Sequence, residues 1–525
     1  MVLIALSVWI VALIFRATAL TANTPFWVDE FSTGTIARMI LDKGLNVYLN
    51  PPPGFETNNS LTYVLTAAFF LISGQSENVA RIPAFIVGSL VPVAVYFLAR
   101  KLGGTLAGFI ASLLTATSYF QIVWSLQARS YMLLQLMVVL TIIIGLKVIQ
   151  TRRISPALIF ISALTFIIGL ASHYLYFLAF GSVCLYSVVL KRESLITKKS
   201  SLIIMVFLTF MLVTFLWSIG FLNLMGTFVR SSFFLSNNVW YYHSFLWREY
   251  GLILFISILG YILITKRNSH DVGLITFYFL IHLVFVTFLF AHHMSKYLLP
   301  IFPLLFVGAG LFIAEIGKII AQRLGDLRLN KRLVINTTVL CTMIALGLTA
   351  FIIGNGHKFV AKPKKYYSIN HDFREIANID YHAIYRTIST SIHNYPGEQV
   401  AVIETWPSRA YWYLGQEYVP IYLFRWQNEE GFVNGHVKKT SFLINSKGEK
   451  FATNNLGFVA EKNDLFLAME KYPKGYIFID DDTLPRDVID YAEKHLKKEM
   501  FLDHYPLDDN PYSKWPATLY SWGFK

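Results

Sequence analysis

About eleven apolar stretches of near membrane-spanning length recur along the chain, and they constrain the fold more than any other feature. An α-helix needs roughly 20 mostly apolar residues to cross the hydrocarbon core of a bilayer. The stretches lie at about 2–21, 84–101, 104–124, 130–149, 155–172, 174–190, 201–222, 251–265, 272–291, 297–320 and 333–354. With 55% hydrophobic residues among 525, the sequence predicts a polytopic α-helical membrane protein.

The charges between these stretches predict how the chain is oriented in the membrane. One set of loops, near 100–101, 147–153, 191–199, 266–267 and 318–332, holds sixteen Lys and Arg residues. After residue 83, the opposite set holds only Arg129, Arg230, Arg248 and Lys296. Because basic loops stay in the cytoplasm, the second set is predicted to lie outside the cell membrane. The first helix, which lacks a basic n-region and a cleavage site, is read as a retained span that begins in the cytoplasm.

This orientation makes residues 22–83 one long external loop. The apolar segment 61–73 within it is short for a span and fits an interfacial or re-entrant helix. After residue 355 the pattern changes to short strands, as in 398–404 and 475–480, and a helix over 485–498. We therefore predict a membrane domain over 1–355 and an extracytoplasmic α/β domain over 356–525.

Charge and cysteine content exclude several classes of protein. The formal net charge is +13. Before residue 355 there are 24 Lys and Arg against 10 Asp and Glu, whereas after it there are 21 Lys and Arg against 22 Asp and Glu. This basicity is typical of cytoplasmic loops that face anionic lipid, so a nucleic-acid partner is not expected. Cys184 and Cys341 both fall in apolar stretches, so neither a disulfide framework nor a cysteine zinc site is expected.

An acidic doublet, Asp29-Glu30, follows the first apolar stretch, in a loop that holds five of those ten acidic residues. One interpretation is structural, because Asp is a favoured helix N-cap and acidic side chains suit the first turn of a helix. The other is catalytic: adjacent carboxylates repel, and burial at the membrane edge disfavours charge, which favours a general base. Since neighbours on a helix point about 100° apart, we assign Asp29 as the base and Glu30 to acceptor positioning or support.

A second group, Gln127-Ala-Arg129-Ser-Tyr131, is predicted at the outer end of a span. The planar fork of Arg129 suits a phosphate, and the phosphates at an outer membrane face belong to lipids. The structural alternative is an Arg that reaches to headgroups beside a Tyr of the aromatic belt.

A third group, His292-His293-Met-Ser-Lys296-Tyr297, is predicted on the same face. Lys296 can neutralise charge on a departing phosphate, whereas adjacent histidines make a poor metal pair, so zinc is not expected. His173, between two apolar helices, is either a satisfied polar residue or an acceptor contact in an outward-facing cavity.

Three further charged groups are interpreted as structural. Arg16 and Arg81 belong to the outer side, and the acidic external loop offers them partners. The run Asp480-Asp481-Asp482 follows a strand and precedes a helix, where turn and cap residues are usual, so it is not assigned to a metal.

These motifs, in this order and spacing, resemble the GT-C glycosyltransferases over about residues 1–320. The likeness is to the branch that contains protein O-mannosyltransferases and aminoarabinose transferases of lipid A, which is glycosyltransferase family 39-like. It rests on Arg16, Asp29-Glu30, the segments 37–44, 77–83 and 128–131, His173-Tyr174 and the segment 296–300.

The resemblance implies a multi-spanning fold with juxtamembrane helices in the first external loop and a polyprenyl-phosphate monosaccharide as donor. It implies that Asp29 is the catalytic carboxylate, Glu30 its partner and Arg129 a donor-phosphate ligand, with Lys296 also at the phosphate. Tyr131, His173 and Tyr297 are expected at the substrate. The sugar would pass with inversion to a hydroxyl of a glycan, lipid or protein. No cofactor is expected, although some relatives in the wider superfamily use a divalent ion.

Two other classes of function stay open. A transporter or flippase of a lipid-linked sugar would also be polytopic, but its ionisable groups usually lie near the bilayer midplane, often in repeated halves. Here the charges cluster at the predicted outer ends and no repeat is apparent. A non-catalytic assembly or sensor protein with this fold is the third reading.

Overall fold

The computed structural model describes most of the chain. The described residues are 2–20, 25–26, 29–49, 60–151, 155–196, 239–289, 295–326, 337–355, 381–415, 417–423, 442–444, 450–452, 457–480, 484–502 and 517–524. They form two compact units. The first unit comprises Met1–Leu20, Ala84–Leu126 and Ser130–Lys362, and the second comprises Thr21–Pro83, Gln127–Arg129 and Pro363–Lys525.

Helices make up the described chain as far as residue 355. They are α1 (Val2–Leu20), α2 (Asp29–Lys43), α3 (Asn46–Leu49), α4 (Ser60–Ser73), α5 (Glu77–Gly103), α6 (Thr105–Thr117), α7 (Tyr119–Trp124), α8 (Tyr131–Gln150), α9 (Pro156–Ser172), α10 (Tyr176–Ile196), α11 (Val239–Thr265), α12 (Ser269–Val284), α13 (Phe302–Asp326) and α14 (Thr337–Asn355). A π-helical turn, Phe285–Leu289, extends α12, and a 3-10 helix, Ser295–Ile301, leads into α13.

Every predicted span within the described residues is helical, whereas the predicted span 201–222 lies outside them. Among the described helices, four are long and apolar enough to cross a membrane: Glu77–Gly103, Tyr131–Gln150, Ser269–Leu289 and Ser295–Arg323. A fifth results if the two halves of α11, bent by 90° near Tyr250, count as one span. The chain is therefore a helical membrane protein, and the count of eleven crossings stays a prediction.

Small residues let helices of the first unit approach closely. A Cβ on Gly260 of α11 would overlap the backbone of α13 at Gly308, and a Cβ on Gly310 would overlap α6 at Ala107 and Ala111. Such small-residue contacts are typical of helices that pack in lipid, where close approach replaces the hydrophobic drive.

The second unit contains an eight-stranded sheet. Its elements after residue 380 are α15 (Tyr381–Asn394), β1 (Val400–Glu404), α16 (Pro407–Leu414), β2 (Val419–Leu423), β3 (Phe442–Ile444), β4 (Lys450–Ala452), β5 (Gly457–Val459), α17 (Lys462–Lys471), β6 (Lys474–Ile479), α18 (Arg486–His495), β7 (Lys497–Leu502) and β8 (Ala517–Trp522). The strand order is β3-β4-β5-β2-β1-β6-β8-β7. The four central strands, β5, β2, β1 and β6, are parallel, and the outer pairs are antiparallel.

The sheet buries a core on each face, because successive side chains of a strand point to opposite sides. Ala401 and Ile403 of β1 pack with Leu465 and Val488 from α17 and α18. Val400 and Val402 belong to the other core, which also contains residues of α2, α4 and α15. The segment 21–83 and the sheet domain thus share one hydrophobic core.

The second unit contains residues from both sides of the domain boundary predicted at residue 355. Loop residues such as Phe31, Ile36 and Tyr63 are buried in the same cluster as Tyr385 and Leu519. The division into 1–355 and 356–525, and the extracytoplasmic side of the second part, stay predictions. The predicted strands coincide with β1 and β6, and the helix predicted over 485–498 ends at His495 because β7 follows it.

Candidate functional site

Helix α2 begins at the predicted catalytic doublet. Asp29 is its first residue, where an acidic side chain suits the positive end of the helix dipole. The helix runs to Lys43. The side chain of Asp29 lies outside the described residues. Its proposed role as the base therefore stays a prediction.

The carboxylate of Glu30 is fully engaged within the second unit. Both of its oxygens accept hydrogen bonds from the Arg81 guanidinium, at 2.8 Å each. Oε1 also accepts the backbone N–H of Ala128 at 2.7 Å. With a side chain only 1% exposed, Glu30 has the geometry of a buried bidentate ion pair, which adds strength and directional specificity. The role predicted for Glu30, acceptor positioning or support, stays a prediction.

Arg81 links this carboxylate to a third segment. It lies one turn into α5, and its Nη2 also donates to the Pro25 carbonyl oxygen at 3.0 Å. Its guanidinium lies 5.4 Å from the centre of the Phe26 ring. The pairing of Arg81 with an acid of the loop agrees with the sequence-based expectation, and it ties the residues before α2, the start of α2, the start of α5 and Ala128 together.

Arg16 does not follow the same expectation in the described residues. Its Nε donates to the Ser125 hydroxyl at 3.0 Å, and its Nη1 donates to the carbonyl oxygens of Ala12 and Ala116, each at 3.2 Å. Serine and main-chain carbonyls, rather than an acid of the loop, hold this fully buried arginine. No acidic partner of Arg16 occurs among the described side chains, which do not include that of Asp29, so the expected partner stays a prediction.

Arg129 lies in the irregular segment between α7 and α8 and is partly buried. Its backbone N–H donates to the carbonyl of Gln127 at 2.6 Å, which makes a tight turn there. The preceding residue, Ala128, is the one bonded to Glu30. The position of Arg129 is thus set by the same carboxylate that follows Asp29 in sequence.

Four other predicted site residues lie together in the first unit. The ring of Tyr131 is 5.2 Å from His173 and 6.4 Å from Tyr297, centre to centre. The ammonium group of Lys296 is 5.7 Å from the centre of the Tyr131 ring and 5.6 Å from that of Tyr297. The 3-10 helix 295–301 and the first turn of α8 bring them together.

The members of this aromatic and basic cluster differ in burial. Tyr131, His173 and Tyr297 are buried, whereas Lys296 is partly exposed. Nδ1 of His173 accepts the Leu175 N–H at 3.1 Å, so a neutral His173 carries its proton on Nε2. A cation held over two aromatic faces beside a ring N–H is an arrangement that suits an anionic, hydroxyl-rich ligand. His292 and His293 lie outside the described residues.

Trp124 is a member of this cluster that the motif analysis missed. Its ring is 5.2 Å from Tyr131, and it ends α7. Nothing in its sequence context distinguishes it from the other tryptophans. Trp124 ends the short helix that follows the break between α6 and α7, which the sequence does not mark with Pro or Gly.

The sheet domain contains a buried ionic cluster that sequence analysis also missed. Arg409 donates to Glu404 at 3.0 Å and to Asp480 at 2.6 Å, at the carboxyl ends of β1 and β6. Tyr385 donates a short hydrogen bond to Glu404. Burial raises the pKa of Glu404, despite the adjacent guanidinium. Burial alone would lower the pKa of Arg409, but the charge of Asp480 raises it well above its ordinary value.

This cluster fills a place where open α/β sheets often bind ligands. β1 leads to β2 on one side and β6 lies on the other, so the strand order reverses between β1 and β6. Arg409 is 2% exposed and is bonded on several sides, so the chain occupies the position itself. Asp480 thus has the structural role expected of it, through an ion pair, while Asp481 and Asp482 lie outside the described residues.

Comparisons with known proteins agree with this architecture. The family described as dolichyl-phosphate-mannose-protein mannosyltransferase matches residues 61–217. No curated protein matches. The crystal structure of ArnT from Cupriavidus metallidurans bound to undecaprenyl phosphate is 13% identical with a TM-score of 0.56, over 99% of this chain and 97% of that one. The Archaeoglobus fulgidus oligosaccharyltransferase AglB, in complex with an inhibitory peptide and a dolichol-phosphate, is 12% identical with a TM-score of 0.53, over 98% and 74%.

The chain has the GT-C fold. The fold that the resemblance implied is thereby confirmed. The match to ArnT covers nearly the whole of both chains, so it includes the residues after 355, to which the motifs did not extend. No group of three or more His, Cys, Asp or Glu residues with the geometry of a metal site occurs among the residues that the structure describes.

Proposed function

We propose that this GT-C protein is an inverting glycosyltransferase that moves a monosaccharide from a polyprenyl-phosphate donor to an acceptor hydroxyl on the extracytoplasmic face of the membrane. The observation that carries the proposal is the fold match over 99% of the chain to an ArnT that binds undecaprenyl phosphate. The family match over 61–217 and the dolichol-phosphate bound to AglB support the same donor class.

The proposed reaction is a single displacement. Asp29 removes the proton from the acceptor hydroxyl, and the oxygen forms a bond to the anomeric carbon. The bond from that carbon to the phosphate oxygen breaks, and the electron pair leaves with the lipid phosphate. General-base help of this kind contributes roughly 10²–10⁴-fold to the rate. Because the attack comes opposite the leaving group, the anomeric configuration inverts.

Arginine and lysine have the second role in this proposal. Arg129 and Lys296 neutralise the phosphate as its charge increases, and removal of a group that stabilises developing charge typically costs about 10²–10³-fold in rate. Lys296 already lies over Tyr131 and Tyr297, which gives the cation a defined place. Tyr131, His173 and Tyr297 are proposed to contact the sugar or the acceptor.

No metal takes part in this scheme. The acceptor is a glycan, lipid or protein, and the sugar is a hexose or a pentose. Assays with and without EDTA test the variant of this scheme in which a divalent ion binds the phosphate.

The experiment uses purified protein in proteoliposomes with radiolabelled polyprenyl-phosphate sugars and an extract of envelope glycoconjugates as acceptors. We expect label to move from the donor to a water- or lipid-soluble product with the opposite anomeric configuration, read by NMR. Movement of intact donor across the bilayer without cleavage would instead indicate a flippase. A product of retained configuration would contradict the single displacement.

A further inference from the structure

The second unit places a tryptophan from the sheet domain against the helix that carries the proposed base. Trp412, in α16, is 6% exposed and contacts three segments of the loop 21–83. Its ring centre is 4.9 Å from that of Phe26 and 5.9 Å from that of Phe70, with the latter rings stacked. The guanidinium of Arg38 lies 4.2 Å from its ring centre, and Arg38 also donates to its carbonyl oxygen at 3.0 Å.

We propose that Trp412 is a positioning residue for sugar transfer, which holds the start of α2, and with it Asp29 and Glu30, through Phe26, Gly34 and Arg38. This inference rests on the proposed function. It assigns the sheet domain to the catalytic apparatus, in addition to any part the domain has in acceptor binding.

Contact with α2 requires a glycine. A Cβ added at Gly34 would lie 2.6 Å from Cε2 of Phe26, closer than Cβ atoms normally approach, and 3.0 Å from Cζ3 of Trp412, which is a tight contact. Glycine in the middle of a helix is otherwise unfavourable relative to alanine. The glycine therefore permits a close approach between α2, the residues before it and α16.

A continuous series of contacts joins Trp412 to the acidic doublet. Phe26 lies against Trp412 and also lies 5.4 Å from the Arg81 guanidinium. Arg81 in turn holds both oxygens of Glu30 at 2.8 Å. Displacing the tryptophan would let Phe26 and Arg81 shift, and Glu30 would shift with them.

Tyr413, the residue after Trp412, contacts the first turn of α5, the helix that carries Arg81. Its hydroxyl donates to Glu77 at 2.7 Å, and Nε2 of His382 lies 2.9 Å from the same carboxylate oxygen. Burial and the charge of Glu77 raise the pKa of Tyr413, so its hydroxyl keeps its proton as a donor. Glu77 precedes Arg81 by one helical turn, so α16 also holds the helix that carries Arg81.

Trp522 offers a matched control within the same sheet. It is also a buried tryptophan, 7% exposed, and its Nε1 donates to the Tyr472 carbonyl at 2.9 Å. It belongs to the core on the opposite face, which contains no described residue of the loop 21–83. Loss of either indole leaves a comparable cavity, but only Trp412 contacts the helix of the doublet.

The experiment compares Trp412→Leu with Trp522→Leu in full-length protein in proteoliposomes. Transfer is measured per folded molecule, and hydrogen exchange is followed for the amides of residues 31–40. We expect Trp412→Leu to lower kcat about ten- to a hundredfold, since small misplacements of reacting groups are costly, with the donor KM within about threefold of wild type. Exchange in α2 should accelerate in this variant only, and Trp412→Phe should restore most of kcat.

Gly34→Ala keeps the inference testable if Trp412→Leu does not fold. Its alanine favours the helix, so a lower kcat in a folded protein would follow from the steric clash with Phe26 and Trp412. Unchanged α2 exchange and unchanged kcat in Gly34→Ala or Trp412→Leu would overturn the inference. If the wild-type protein transferred no sugar, the proposed function would be refuted instead. The exchange data would still decide whether Trp412 holds α2.

Discussion

The Glu30 and Arg81 side chains form an ion pair that is buried on both sides, 1% and 6% exposed. Removing one member of a buried pair leaves the other charge uncompensated, at a cost of about 3–5 kcal/mol. We therefore expect Glu30→Gln to lower the free energy of unfolding by roughly that amount, and Glu30→Gln with Arg81→Met to recover part of it. Denaturant unfolding in detergent measures both, and equal stability of Glu30→Gln and wild type would contradict the ion pair.

Arg129 gives a kinetic prediction. If it binds the donor phosphate, Arg129→Ala should raise the donor KM or lower kcat by about 10²-fold or more, with a smaller effect on the acceptor KM. Arg267→Ala is the matched control, because Arg267 is an exposed arginine paired with Glu315 at 2.7 Å. Steady-state rates at varied donor and acceptor measure the difference. An unchanged donor dependence in Arg129→Ala would remove this residue from the phosphate site.

Helix α4 is the apolar helix of the predicted external loop. Its inner face, with Tyr63, Ala67 and Phe70, is buried, whereas Leu71 and Ile72 are 77% and 78% exposed. An exposed apolar helix face of this kind favours the membrane interface. A spin label at residue 71, in a background without Cys184 and Cys341, should therefore relax faster with oxygen than with a water-soluble nickel chelate. Greater access to the nickel complex would place this face in water and contradict the interfacial interpretation.

The positions of helices and strands were the most predictable features. The length of an apolar stretch indicates a spanning helix, and the alternation of apolar and polar residues indicates a strand. The predicted span 104–124 nevertheless contains a break at Ser118, between α6 and α7, and the predicted span 251–265 is only the second half of a helix bent at Tyr250. The break at Ser118 coincides with neither a proline nor a glycine, whereas Gly251 directly follows Tyr250. Glycine tolerates backbone conformations that other residues disfavour, so the second break has a local signal in the sequence and the first has none.

For the chain as a whole, contacts between distant segments were the least predictable feature. The acidic partner of Arg81 could be expected, because a buried arginine needs a counter-charge and the loop is rich in acids. The contacts of Arg16 with Ser125, and those of Trp412 with Phe26, join residues that are far apart in sequence, and neither Ser125 nor Trp412 belongs to a motif. The sharing of one core by the loop 21–83 and the sheet domain follows from such contacts and could not be read from either part alone.

The measurement that tests the central claim most directly is sugar transfer by Asp29→Asn, with Asp42→Asn as control. Both residues lie in α2, and Asp42 is exposed near its end. With radiolabelled polyprenyl-phosphate sugar as donor, we expect Asp29→Asn to lose about 10²–10⁴-fold in rate while it inserts and folds normally, and Asp42→Asn to retain wild-type rates. Undiminished turnover in Asp29→Asn would contradict the assignment of the base.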